Sequence, residues 1–153
     1  MRSFYIDLVK IKGSAWKVLP TGVHVATFDE VANRYGGTSK RQRLIHGFRN
    51  GANNLFSCGC PRIYLDGSFV TDKINPNDFD CCWDEQGVNV SFLDPTLVDF
   101  SNERQAQKNK YYGEFFPSCL FAIDKGYSFL ELFQKDKDTG EAKGIIQLNN
   151  WIT

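Results

Sequence analysis

The chain has 153 residues, 42% apolar and 24% charged, and its 18 Lys and Arg balance 18 Asp and Glu to a formal net charge of zero. That length suits one domain with a hydrophobic core that needs no disulfide staples, and 13 Phe, 6 Tyr and 3 Trp argue for a well-filled core and against disorder. Bulk charge gives no support to a general polyanion-binding role, leaving only a local basic patch. No stretch approaches the ~18 apolar residues of a membrane span. Asp7, Lys10 and Lys12 interrupt the N-terminal run, which lacks the long apolar region of a secretory signal. The five cysteines (58, 60, 81, 82 and 119) are then expected to be reduced thiols in a cytoplasmic protein. Their C-x-C and C-C spacings do not match the usual zinc knuckle. They read as small buried hydrophobes, with metal or redox work as the alternative.

Residues 1–17 contain the alternation Phe4, Ile6, Leu8, which predicts an edge strand or a loose arm on a single domain spanning 1–153. A turn signal follows at Pro20-Thr21-Gly22. Thr27 with Glu30 has the form of a capping box and predicts a short helix ending at Gly36-Gly37. Thr38 or Ser39 caps a longer helix, in which Leu44, Ile45, Phe48, Ala52, Leu55 and Phe56 recur at helical spacing and Gly59 supplies the stop. The first turn of that helix carries Lys40, Arg41 and Arg43, which oppose its dipole. They form either an ordinary solvated face or a contact with phosphate or an acidic partner. Arg62 to Leu65 reads as a strand, followed by Gly67-Ser68 and a polar loop over 71–77. Asp78 to Trp83 reads as a second strand, on which Cys81 and Cys82 would point to opposite faces. A stretch with Val88, Val90, Phe92 and Leu93 is closed by Asp94-Pro95. Residues 95–110 look helical, broken or bent near Ser101-Asn102. Gly113 to Phe116 predicts a third strand ended by Pro117. Tyr127 to Lys135 predicts a short helix or turn, and 144–148 a final strand. The fold class is α/β or α+β, with a mixed sheet of about four to six strands and flanking helices.

The chemistry sits in Leu65-Asp66-Gly67-Ser68, nine intervening residues, then Asp78-Phe79-Asp80. Two carboxylates two apart on a strand project from one face, with Cα atoms about 6.6 Å apart. Such a pair can share hard cations, and Mg²⁺ prefers one or two carboxylates together with substrate phosphates. Two metals roughly 3.5–4 Å apart can clamp the attacking and leaving oxygens of a phosphoryl displacement. Gly67 lets the backbone approach a phosphate, while Ser68 and the amides after it can donate to phosphate oxygens. The alternative is a turn glycine with two surface aspartates.

Taken together, Gly67-Ser68, the spacer and Asp78-Phe79-Asp80 resemble the signature of the nucleotidyltransferase superfamily, which includes polymerase beta-like enzymes and minimal nucleotidyltransferases. A wider similarity to small bacterial and phage proteins of this fold spans about 18–150, through Val18-Leu19-Pro20-Thr21-Gly22-Val23-His24, Leu65 to Val70, Asn77 to Asp80 and Lys143 to Ile146. The resemblance implies a nucleotidyltransferase-like sheet. It implies Asp78 and Asp80 as magnesium ligands, Gly67 and Ser68 as nucleotide-binding positions and a nucleoside triphosphate as substrate. Where many active members carry Ala-Arg-Gly, this chain has Val70-Thr71-Asp72, and Lys73 is the candidate replacement cation. The third carboxylate of the pattern is not obvious, and Glu114 is either that group or an ordinary strand residue. Lys108, Lys110, Tyr111 and Tyr112 form either a base-stacking and phosphate-neutralising group or a polar helix end. His24 and His46 stand in no Ser/His or Cys/His arrangement.

Two functions follow from the resemblance. One is a Mg²⁺-dependent transfer of a nucleoside monophosphate from a nucleoside triphosphate to a protein or RNA hydroxyl. The other is a non-catalytic, antitoxin-like or regulatory binding protein of the same fold. A protein partner or a homo-oligomer would then supply acceptor recognition.

Overall fold

The computed structural model describes residues 6–119 and 128–152. Phe4 and Tyr127, named above, lie outside the described residues. Elements follow in the order β1 (Val23–Val25), α1 (Phe28–Tyr35), α2 (Ser39–Ser57), β2 (Arg62–Asp66), β3 (Phe79–Trp83), α3 (Ser101–Tyr111), β4 (Gly113–Pro117), α4 (Phe129–Phe133) and β5 (Ile145–Asn149). Among the described residues the strands form one five-stranded mixed sheet in the order β1-β5-β2-β3-β4. β5 is parallel to β1 and antiparallel to β2, while β3 is antiparallel to β2 and parallel to β4.

Local chemistry sets the helix ends. Thr27 Oγ1 accepts from Glu30 N at 3.1 Å and Glu30 returns a carboxylate to Thr27 N at 3.0 Å, closing the capping box of α1. Thr38 Oγ1 accepts from Arg41 N at 3.1 Å and starts α2. The stripe Leu44, Phe48, Ala52, Leu55 and Phe56 is buried against one face of the sheet, where Ile63, Leu65, Phe79, Cys81, Trp83, Phe115, Ile146 and Leu148 meet it. Phe79 stands edge-on to both Phe48 and Phe115, with ring centres 5.4 Å apart in each pair. Each such ring contributes roughly 1.5–3 kcal/mol by leaving water.

The other face carries Tyr64, Cys82, Phe116 and Ile145 under α4, whose Phe129, Leu130 and Phe133 cover them. Cys81 and Cys82 therefore do face opposite sides, and all five thiols are free. The sheet is sandwiched between α1, α2 and α3 on one side and the short α4 on the other. Among the described residues no helix is long and apolar enough to cross a membrane.

One local reading is corrected. Ile6 and Leu8 form no strand; only Val9 bridges to Val18, with N–H to O distances of 2.7 and 2.8 Å. The edges of the sheet are instead β1, whose two valines are exposed, and β4. The Val88–Leu93 stretch makes a one-turn 3₁₀ helix at Val90–Phe92 with both Val90 and Phe92 exposed. The break near Ser101-Asn102 is real: Asn102, Glu103 and Arg104 take left-handed backbone angles, φ 50°, 56° and 62°, which cost L-residues roughly 1–2 kcal/mol each.

Candidate functional site

Asp66 and Asp80 are cross-strand partners on β2 and β3, and Asp80 and Glu114 are partners on β3 and β4. Residues opposite one another in a sheet share a face. The three carboxyls therefore form a row on the α4 side of the sheet, beside the Tyr64, Cys82, Phe116 row. Asp78, just before β3, brings a fourth. Carboxylate oxygens of Asp78, Asp80 and Glu114 all lie within 4.8 Å of one another.

Gly67 follows β2 and turns over this row with φ 86°. A Cβ built there would stand 3.0 Å from Asp80 Oδ2 and 3.1 Å from Asp80 N. The backbone angle favours glycine, and a Cβ there would also press on Asp80. Ser68 opens the one-turn 3₁₀ helix Ser68–Val70, and its carbonyl accepts from Thr71 Oγ1 at 2.6 Å. The loop beyond is gripped from α2. Arg41 gives Nε to Ile74 O, Nη1 to Tyr35 O and Phe69 O, and Nη2 to Thr71 O and Lys73 O. Its guanidinium also lies 5.2 Å from the Phe69 ring centre and 5.9 Å from that of Tyr35. Arg41 is buried and belongs to the loop; of the three basic residues in this turn it is the one turned inward, and Arg43 stacks on Tyr112 at 4.4 Å. Lys73, the sequence candidate for phosphate, holds its ammonium over the Trp16 ring at 5.8 Å.

The acidic row is met by cations from several elements. Arg104 Nε bonds Glu114 Oε1 at 2.9 Å and Lys108 Nζ reaches the same oxygen at 3.4 Å. Lys143 bonds Asp66. Asp78 feels the charges of Lys108, Lys137 and Lys40. Burial, followed by the Glu114 charge, raises the Asp78 carboxyl above its usual range despite those lysines. Burial pushes Asp80 well up, reinforced by the hydrogen bond and charge of Glu114. Burial also acts to raise Glu114, but hydrogen bonds from Asp80 and Arg104 and the charges of Arg104 and Lys108 outweigh it and hold it low. Burial raises Asp66 too, against the opposing charge of Lys143. Asp80 Oδ1 is shut off from solvent and has no hydrogen-bond partner among the described residues. A buried acceptor left unpaired is costly, and a hard cation with oxygen preference fits it.

A separate cavity of about 520 Å³ opens on the α2 side, lined by Asn50, Asn53, Asn54, Ser57, Asp94, Lys110 and Tyr111. Lys110 and Tyr111 thus turn away from the carboxylate row, and both bond Asp94.

Residues 13–149 match the model of a family described as "Family of unknown function (DUF6932)". The chain belongs to that family. No curated protein and no solved structure matches the chain. The DUF6932 span takes in every residue of the row and its counter-ions, from Lys40 to Lys143. Arg104 and Lys137 carried no signal in the sequence, and Asp66 and Lys143 stood inside the quoted segments with no role assigned to them. Asp66 could have been found, because it shares the period-two face of Tyr64 and directly precedes Gly67. Lys143 is 77 positions from Asp66 and only the sheet order joins them.

Proposed function

We propose that this DUF6932 protein is a Mg²⁺-dependent nucleotidyltransferase that moves a nucleoside monophosphate from a nucleoside triphosphate to a protein or RNA hydroxyl. The observation that supports this most is the convergence of Asp78, Asp80 and Glu114 within 4.8 Å beside the Gly67 turn. Asp78, Asp80 and Glu114 would hold the metal, and a bound Mg²⁺ would neutralise phosphate charge at the reacting phosphorus. Gly67 and Ser68 would face the phosphates. The acceptor oxygen attacks the α-phosphorus, the bond to the β-phosphate oxygen breaks, and pyrophosphate leaves with the electron pair. The hydroxyl proton passes to a carboxylate of this cluster, for which Glu114 is the candidate. A protein partner or a second copy would help to hold the acceptor.

One observation favours a second reading. Glu114 is already neutralised by Arg104 and Lys108, which suits a non-catalytic nucleotide-binding or antitoxin-like protein. Thermal shift and turnover separate the two. ATP, GTP, CTP or UTP with Mg²⁺ should raise the melting temperature of the wild type, since a ligand specific to the native state stabilises it by mass action. Asp78→Asn with Asp80→Asn should lose most of the shift. Label from an α-labelled triphosphate appearing on protein or RNA, and lost in Glu114→Gln with binding kept, supports transfer. A shift without label supports the binding protein. Equal shifts in wild type and the double variant reject the site.

A further inference from the structure

We infer that Arg104 and Lys108 are exchangeable counter-ions of this site: they neutralise Glu114 in the free protein and pass to the phosphates when a divalent cation takes the carboxylates. Metal and polyphosphate then bind as one unit, and each alone binds weakly. This rests on the metal–nucleotide reading above and adds how ligand and metal are coupled.

Four observations carry it. Arg104, at the left-handed start of α3, and Lys108, in its helical part, engage the same oxygen, Glu114 Oε1. Their side chains are 28% and 31% exposed while Glu114 is 13% exposed, so the cations reach solvent from which the carboxylate is largely withdrawn. Asp80 Oδ1, of the same carboxylate cluster, is closed off and has no hydrogen-bond partner among the described residues. Arg104 is the last of three consecutive left-handed residues, a conformation disfavoured for L-residues. Its backbone therefore has an easier alternative once the ion pair opens.

The physical logic is charge balance. A dication placed among Asp78, Asp80 and Glu114 would repel a guanidinium and an ammonium held on Glu114. Metal alone must displace them into water. Phosphates arriving with the metal offer them new charge-assisted hydrogen bonds, which Arg and Lys make readily. A role confined to holding Glu114 in place predicts the opposite for metal alone, because loss of the holders would loosen the ligand.

The test is Mn²⁺ binding to the full chain, followed by electron paramagnetic resonance with and without ATP. Wild type should bind Mn²⁺ at least about tenfold more tightly with ATP present, a change the size of one charge-assisted hydrogen bond. Arg104→Gln with Lys108→Gln should bind Mn²⁺ alone about tenfold more tightly and Mn²⁺–ATP about tenfold more weakly. Arg104→Lys should stay near wild type in both. Weakening of both affinities in the double variant overturns the exchange and leaves the nucleotide site standing. Absence of Mn²⁺ binding in wild type and variant, with and without ATP, removes the metal–nucleotide reading and the exchange with it. Should the double variant fail to fold by circular dichroism, Lys108→Gln alone leaves the left-handed turn intact. It must show the same opposite signs at smaller size.

Discussion

Arg41 has five N–H donors, and each meets a backbone carbonyl: those of Tyr35, Phe69, Thr71, Lys73 and Ile74. Four of those carbonyls lie in the loop that leaves Gly67-Ser68 and returns to Asp78, so the side chain sets the path between the two halves of the site. A lysine keeps the charge but brings three donors to five carbonyls and lacks the planar fork. At least two carbonyls then lose their donor. Arg41→Lys is expected to cost about 2 kcal/mol or more, read as a lower urea midpoint with an unchanged slope. A midpoint equal to wild type would show that the loop does not depend on the fork. The basic first turn of α2 was legible in the sequence. The inward turn of Arg41 was not, because its acceptors are backbone carbonyls, which leave no mark in side-chain identity.

At the scale of elements, the placement of α2 depends on two glycines one turn apart. A Cβ on Gly47 would meet Tyr111 O at 2.0 Å, and one on Gly51 would meet the Phe115 ring at 2.4 Å. α2 therefore lies close on the end of α3 and on β4, the strand that carries Glu114. Alanine normally gains about 1 kcal/mol over glycine inside a helix. At Gly47 the obstruction is backbone, which cannot swing aside, and Gly47→Ala is expected to destabilise by about 1–3 kcal/mol net. The measurement is the thermal midpoint, and a rise would mean that α3 yields without strain. The helical stripe of α2, the Thr27 cap and a cap at Thr38 or Ser39, of which the structure uses Thr38, were readable, since period and caps are local. The left-handed start of α3 was readable only as a break. Its angles are held by the Arg104–Glu114 pair and the Arg104 contact with Phe116 at 5.0 Å, both of which need β4 in place.

For the whole molecule, pH separates two kinds of carboxylate. Burial alone would raise Asp94, but Lys110, Tyr111 and Thr96 bond it and together hold it down at about 2. Its folded value lies below the usual 3.8, so its stabilising contribution is present above that value and is lost as pH falls from about 4 toward 2. Asp66, Asp78 and Asp80 run the other way. Their raised folded values favour the native state at low pH, and that contribution fades as pH rises through them. In the difference between wild type and Asp94→Asn the other three cancel. The gap in melting temperature should be largest above pH 4 and close toward pH 2. A gap that stays constant across that range would mean that Asp94 is not held ionised by its partners.

Sequence alone determined the helices with strong period and caps, the strands on either side of the Gly67-Ser68 turn and its polar loop, and the nearness of Asp78 to Asp80, because each of these rests on neighbours within a few residues; the strand expected from Asp78 begins one residue later, at Phe79. It also offered Glu114 as a candidate without a way to place it. The tertiary structure decided the rest. Register across β2, β3 and β4 aligns Asp66, Asp80 and Glu114 into one row. The sheet order brings Lys143 to Asp66, and the fold turns Arg41 inward while setting Arg104 and Lys108 on Glu114. These contacts join residues on different elements, as many as 77 positions apart. Their free energy comes from burying charges that must find partners wherever the packed sheet delivers them, and local pattern carries no information on where that is.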